Sequence, residues 1–173
     1  KFQIKDSETF FKLLNRYYAK MPQNKAFPLV FRGPKNARTP FYLDVDMKLK
    51  TDVSIPTRVF IDMVDDLLCE LLKVTGCGEL SVIITRRVCS YRAKNLFKNG
   101  FHVLVPNLMV TPDTMKKFRA RVLATTTWMD RLTPFGILNN PPDIIDESIT
   151  TRRNGLIILG MNKPLPKGMQ CSP

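Results

Sequence analysis

The sequence predicts an α+β (α/β) domain whose sheet is at least partly antiparallel. Two patterns lead there. Stretches with apolar residues three and four apart, the mark of a helix with one buried face, interleave with short runs rich in Val, Ile, Phe and Tyr, the mark of strands. The two kinds do not alternate in the strict strand–helix–strand rhythm of a wholly parallel sheet. With 173 residues and 44% hydrophobic content, the chain has enough apolar surface for a core in one domain or two small lobes.

Taken in order, Phe10, Phe11, Leu14, Tyr17 and Tyr18 form one helical stripe from about Asp6 to Lys20, capped by Asp6 or Ser7 and ended by Met21-Pro22. Pro28-Leu29-Val30-Phe31 reads as a short strand, followed by a basic turn from Arg32 to Arg38 and by the strand Phe41–Lys48. Between Ser54 and Val74 lies the clearest helix, with Val59, Phe60, Met63, Val64, Leu67, Leu68, Leu71 and Leu72 on its buried stripe, Ser54 as cap and Gly76 as stop. Ser81 to Cys89 reads as a strand, and Tyr91 to Asn99 as a basic connector holding Arg92, Lys94 and Lys98. Phe101–Val105 is the next strand, ended by Pro106. Thr111-Pro112-Asp113 opens a helix whose stripe is Met115, Phe118, Val122, Met129 and Leu132. The stretch from Pro134 to Pro142 is irregular; Asp143-Ile144-Ile145-Asp146, a basic turn at Arg152-Arg153-Asn154-Gly155 and the strand Leu156–Leu159 follow.

Charge narrows the partners. The chain has 27 Lys+Arg against 15 Asp+Glu, a net +12, which favours a polyanion, most often nucleic acid. No segment pairs a basic face with an exposed aromatic one, and no run approaches the ~20 apolar residues that span a bilayer, so no membrane partner is expected. With no signal peptide before the first helix, and no C-x-x-C pair among Cys69, Cys77, Cys89 and Cys171, the expectation is an intracellular protein with reduced thiols, nuclear or cytoplasmic. The start at Lys1 without Met and the stop at Pro173 suggest that residues 1–173 are one domain excised from a longer chain, with room for a zinc module beyond Cys171.

The stretch most pregnant with chemistry is Phe41-Tyr42-Leu43-Asp44-Val45-Asp46-Met47-Lys48. In a strand, residues i and i+2 share a face, so Tyr42, Asp44 and Asp46 point one way and Leu43 and Val45 the other. Two neighbouring carboxylates in an apolar strand repel each other and lose hydration unless a cation sits between them. Oxygen-only ligands suit a hard divalent ion, magnesium or manganese. Asp-x-Asp is also frequent at solvated strand ends, so the motif needs its context. The only histidine, His102, follows Lys98-Asn99-Gly100-Phe101 at the mouth of a strand. A lone histidine is usually a satisfied core residue; here Gly100 would let a ligand approach the main chain and Lys98 would offer a point charge for phosphate.

The order Asp-x-Asp on a strand, Lys-x-small-x-His on a strand, then a lone Asp before a basic turn and strand, resembles the archaeo-eukaryotic primase superfamily. It is closest to primase-polymerases and the primase domains of poxvirus-type primase-helicases. The resemblance spans Arg32 to Lys163 and implies an archaeo-eukaryotic primase catalytic core, an RRM-like mixed sheet flanked by a second α/β unit. It also implies template-dependent nucleotide polymerisation with magnesium or manganese on single-stranded DNA, using nucleoside triphosphates, with a helicase domain on the same or another chain. By this likeness Asp44, Asp46 and Asp146 are the metal-binding catalytic carboxylates, with Asp143 the rival for the third place. Lys98, Gly100 and His102 match the nucleotide-binding motif, in which the family usually has serine at the position of Gly100. Arg153 and Lys163 fall where the family places nucleotide-binding cations.

Three other readings compete. A basic nucleic-acid-binding domain without catalysis would lack a third converging carboxylate and the Lys98–His102 cradle. A haloacid-dehalogenase-type phosphatase wants Thr or Val where Lys48 stands. A glycosyltransferase with a metal-holding Asp-x-Asp gives no reason for the positive charge.

Overall fold

The computed structural model describes residues 7–20, 30–31, 38–86, 90–151 and 156–157. In chain order the elements are α1 (Ser7–Lys20), β1 (Val30–Phe31), β2 (Thr39–Leu49), α2 (Thr57–Thr75), β3 (Ile83–Arg86), β4 (Tyr91–Ala93), β5 (Leu96–Val110), α3 (Pro112–Ala124), α4 (Thr127–Asp130), a 3-10 turn (Thr133–Phe135), α5 (Pro141–Ile144), α6 (Ser148–Thr151) and β6 (Leu156–Ile157). β2, β5 and β3 lie side by side in that order, β4 also pairs with β5, and β1 pairs with β6 in a separate two-stranded sheet. Every one of these pairings is antiparallel, so the α+β expectation holds. No helix among the described residues is long and apolar enough to cross a membrane.

Alternation along β2 decides how the layers stack. Phe41, Leu43, Val45, Met47 and Leu49 are all buried, while Asp44 is exposed and Tyr42, Asp46 and Lys48 are half-buried. The buried side meets Phe60, Met63, Val64, Leu67 and Leu71 of α2, and Met115, Phe118 and Val122 of α3. Edge-on ring contacts of Phe41 with Phe118 and of Phe60 with Phe101, at 5.1 and 5.3 Å between centroids, lock sheet to helices. Both helices therefore cover one side of the sheet, leaving the Asp44 side clear of them.

Several elements differ from the sequence expectation for local reasons. β5 runs through Pro106 rather than stopping there. Phe41 pairs with Val105 but Pro40 with Met109, so residues 106–108 bulge from the β2 ladder and the proline has no ladder hydrogen bond to lose. The supposed connector is a hairpin, with Ala93 paired to Leu96 across a two-residue turn, Lys94–Asn95. Lys94 there adopts φ 58°, a left-handed conformation that costs a residue with a Cβ about 1 kcal/mol or more. The helix opened by Thr111, whose side chain caps Thr114 N–H, breaks at Thr125 instead of reaching Leu132. β-branched residues fill 125–127, and Trp128 turns inward to donate its Nε1–H to the Val122 carbonyl at 2.9 Å. Pro56, not Ser54, sits at the N-cap of α2, whereas Gly76 closes it in the left-handed conformation as expected. Cys69 and Cys77 are free thiols; Cys89 and Cys171 lie outside the described residues.

Glu70 joins α2 to α3 from a buried position, paired with Lys73 Nζ at 2.6 Å and Arg121 Nε at 3.0 Å. The Lys73 hydrogen bond lowers its pKa; burial opposes this, and Arg121 adds to the lowering. A lowered folded pKa means that ionised Glu70 stabilises the fold above its ordinary value of about 4.5, and that this contribution fades as pH falls through that value towards the folded one. Glu70→Gln is expected to cost about 1–2 kcal/mol at neutral pH. Thermal melts across a pH series should show the gap between wild type and variant closing below the ordinary carboxylate pKa.

Candidate active site

Directly paired residues of antiparallel strands project from the same face. The registers of β2, β5 and β3 therefore fix the order of side chains across the open face. Tyr42 pairs with Leu104 and Leu104 with Ile83; Asp44 pairs with His102 and His102 with Thr85; Asp46 pairs with Gly100; Lys48 pairs with Lys98 and Lys98 with Tyr91 of β4. The Asp-x-Asp and Lys-x-Gly-x-His motifs, more than fifty residues apart, thus lie across from each other on adjacent strands. His102 Nε2 is 3.2 Å from Asp44 Oδ1, and Lys98 Nζ donates to Asp46 Oδ2 at 3.0 Å. His102 keeps 37% of its side chain exposed, which rules out the core-histidine alternative.

Gly100 has a different duty from the one its neighbours suggested. A Cβ built there would run into the Val45 carbonyl oxygen, well inside contact distance. The space is taken by β2, so the glycine serves close strand approach beside Asp46 instead of opening the main chain to a ligand.

The far edge of β2 is held by the segment after the 3-10 turn. Leu49 bridges to Ile137, and Leu138 N–H donates to the Lys48 carbonyl at 2.8 Å. Asn139, buried, then imitates a strand partner: its Nδ2 donates to the Asp46 carbonyl at 2.8 Å and its Oδ1 accepts from Lys48 N–H at 2.9 Å. Val45 bridges to Ile145, antiparallel, with both side chains in the core. This bridge sets the chain just before Asp146 against β2 at the residue that follows Asp44. Arg119 of α3 secures this segment from behind, donating from Nε to the Ile145 carbonyl at 2.8 Å and from Nη2 to the Pro142 carbonyl at 3.1 Å. Asp143, the rival, is an exposed residue within α5.

As the side chains stand, no group of three among His, Cys, Asp and Glu of the described residues is closed around a point that could hold a metal ion. The expected meeting of the Asp44, Asp46 and Asp146 carboxylates around one cation is therefore not seen as the side chains stand. Each carboxylate has its own partner: His102 for Asp44, Lys98 for Asp46 and, for Asp146 Oδ1, the Ser148 N–H at 2.7 Å. The donor set still fits a hard divalent cation, because it is all oxygen and Asp44 and Asp146 are exposed side chains whose rotamers can turn.

Arg153, Lys163 and residues 32–37 of the basic turn lie outside the described residues; Arg38, at the turn's end, is exposed. Asn139 and Arg119 were missed from the sequence. Each acts through side-chain bonds to backbone far along the chain, and such bonds leave no local pattern.

A family model described as the C962R protein N-terminal AEP domain matches residues 1–172. Archaeo-eukaryotic primase domains of this kind are generally dependent on divalent metal. No curated protein matches the chain. With the match covering nearly every residue, the chain belongs to the C962R protein N-terminal AEP domain family, a branch of the archaeo-eukaryotic primases.

Proposed function

We propose that the domain is a template-dependent nucleotidyltransferase that synthesises primers on single-stranded DNA from nucleoside triphosphates. The observation that carries this reading is the pairing of Asp44 with His102, and of Asp46 with Lys98, across two adjacent strands of a primase-family chain. It joins a cation-binding edge to a phosphate-binding one.

Asp44, Asp46 and Asp146 would hold magnesium or manganese, which when bound supplies a lowered pKa for the attacking 3′-hydroxyl and charge stabilisation for the departing pyrophosphate. The protein's own groups do the rest. Lys98 binds the triphosphate as a point charge, and the half-exposed His102 imidazole, turning from Asp44, donates to a phosphate oxygen. Asn139 keeps Asp46 in register by occupying the hydrogen-bonding edge of β2 behind it. Arg119 holds the Ile145 backbone, and with it the approach of Asp146.

His102→Ala is expected to raise KM for the incoming nucleotide about tenfold or more, the loss of one charge-assisted hydrogen bond, while melting close to the wild type. Incorporation of labelled nucleotides on a single-stranded template checks it. An unchanged KM with lost folding would overturn the assignment. A non-catalytic nucleic-acid-binding domain is the second reading, favoured by the carboxylates' engagement with Lys98 and His102. It predicts template binding with no incorporation under magnesium or manganese.

A further inference from the structure

The hairpin between β4 and β5 combines a strained lysine with a local excess of positive charge. Its turn is Lys94–Asn95, and Lys94 holds φ 58° in a position where glycine or asparagine is the comfortable occupant. Its side chain is exposed. Arg92 is exposed on β4, and Lys98 and Lys48 are paired just behind the turn. Leu49 pairs with Phe97, so Lys50 leaves β2 level with Leu96, at the base of the turn. From Leu80 to Pro112 the sequence contains no Asp or Glu.

On the helical layer most of the acidic side chains are paired with basic ones. Asp62 meets Arg58 and Arg131, Asp66 meets Arg131, Glu70 meets Lys73 and Arg121, and Asp113 meets Lys117. At the hairpin end Asp46 is paired with Lys98 and Asp52 with Ser90 beside β4, whereas Arg92, Lys94 and Lys50 stand exposed on or beside the turn.

Strand rise puts the turn about 10 Å beyond Lys98 and more than about 20 Å from His102. A triphosphate held by those two residues does not extend that far, so cations strung over this length suit a polymer. Among the described residues no large hydrophobic side chain stands exposed at the turn end of the hairpin, Met109 being at the far end of β5, so the turn lacks the usual means of seating on a lipid surface.

We propose that the β4–β5 hairpin binds the sugar-phosphate backbone of the single-stranded template, with Lys94 held in its strained turn to contact a phosphate. This rests on the primer-synthesis reading for what the strand is, but its test is independent of catalysis. Anisotropy titrations of a labelled single-stranded oligothymidylate over a range of salt, together with thermal melts, compare the wild type with Lys94→Gly, Lys94→Asn and Lys94→Arg. Lys94→Gly should melt about 2–4 °C higher, because the turn is relieved. Both it and Lys94→Asn should nevertheless bind about fivefold more weakly at low salt. Their log–log salt dependence should be shallower by about 0.7, the share of one phosphate contact to a single strand. Lys94→Arg should bind like the wild type. Unchanged affinity and salt slope in the Gly and Asn variants would overturn the proposal, as would a lower melting temperature for Lys94→Gly. Incorporation by the wild type separates the two ideas. Lys94-dependent binding without incorporation sinks primer synthesis alone, whereas incorporation with Lys94-independent binding sinks the hairpin alone.

Discussion

Asp44→Asn lowers nucleotide incorporation by about a thousandfold or more while leaving the fold and template binding close to those of the wild type. The size follows from what one divalent cation supplies to a phosphoryl transfer, several kcal/mol of charge stabilisation, at tenfold in rate for each 1.36 kcal/mol. Asparagine keeps the shape of the side chain and removes the charge that holds the cation. Folding is spared because Asp44 is exposed, and its contact with a half-exposed His102 is of the kind that contributes little in water. Removing one of several neighbouring carboxylates also relieves repulsion with Asp46. The check is incorporation of labelled nucleotide beside a thermal melt. Retained synthesis, or a collapse of both readouts together, would contradict a metal-holding role.

Gly100→Ala is expected to be the most damaging single change to the sheet. The new methyl group meets the Val45 carbonyl oxygen and comes within 3.4 Å of the Asp46 Cα, and both belong to the backbone of a paired strand. A side chain can swing away, but β2, paired to β5 along its length and held on its other edge by Leu138 and Asn139, yields only by leaving its partners. The cost belongs at the upper end of overpacking, about 3 kcal/mol or more, which for a chain of this size lowers Tm by about 6–12 °C. Gly100→Ser should do the same. Either variant melting like the wild type would show that β2 and β5 have more room than the glycine's surroundings indicate.

What could be read from the chain and what could not divide along the range of the interactions. The strand carrying Asp44 and Asp46 was legible because its period-two alternation is local, and its buried side, Leu43 and Val45, announces the core. The helix ending at Gly76 was legible for the same reason. That Asp44 lies opposite His102 was not, since pairing register depends on residues far apart that leave no mark on each other's sequence. Pro106 misled because proline ordinarily ends a strand, and only the bulge at 106–108 makes it harmless. The hairpin at Lys94–Asn95 lacked the glycine that signals a two-residue turn, so it looked like a connector. Asp146 was singled out by family likeness. The Val45–Ile145 bridge, backed by Arg119, which sets the neighbouring backbone against β2, appears only once the strands are assembled.

The account depends most on Asp146 joining Asp44 and Asp46 as a ligand of one shared cation site. Manganese binding to the protein without nucleotide, followed by the loss of the free-ion electron paramagnetic resonance signal, measures this in the wild type, Asp146→Asn and Asp143→Asn. The predicted result is affinity weakened by at least about tenfold in Asp146→Asn and unchanged in Asp143→Asn. Binding that survives Asp146→Asn but is lost in Asp143→Asn would contradict it.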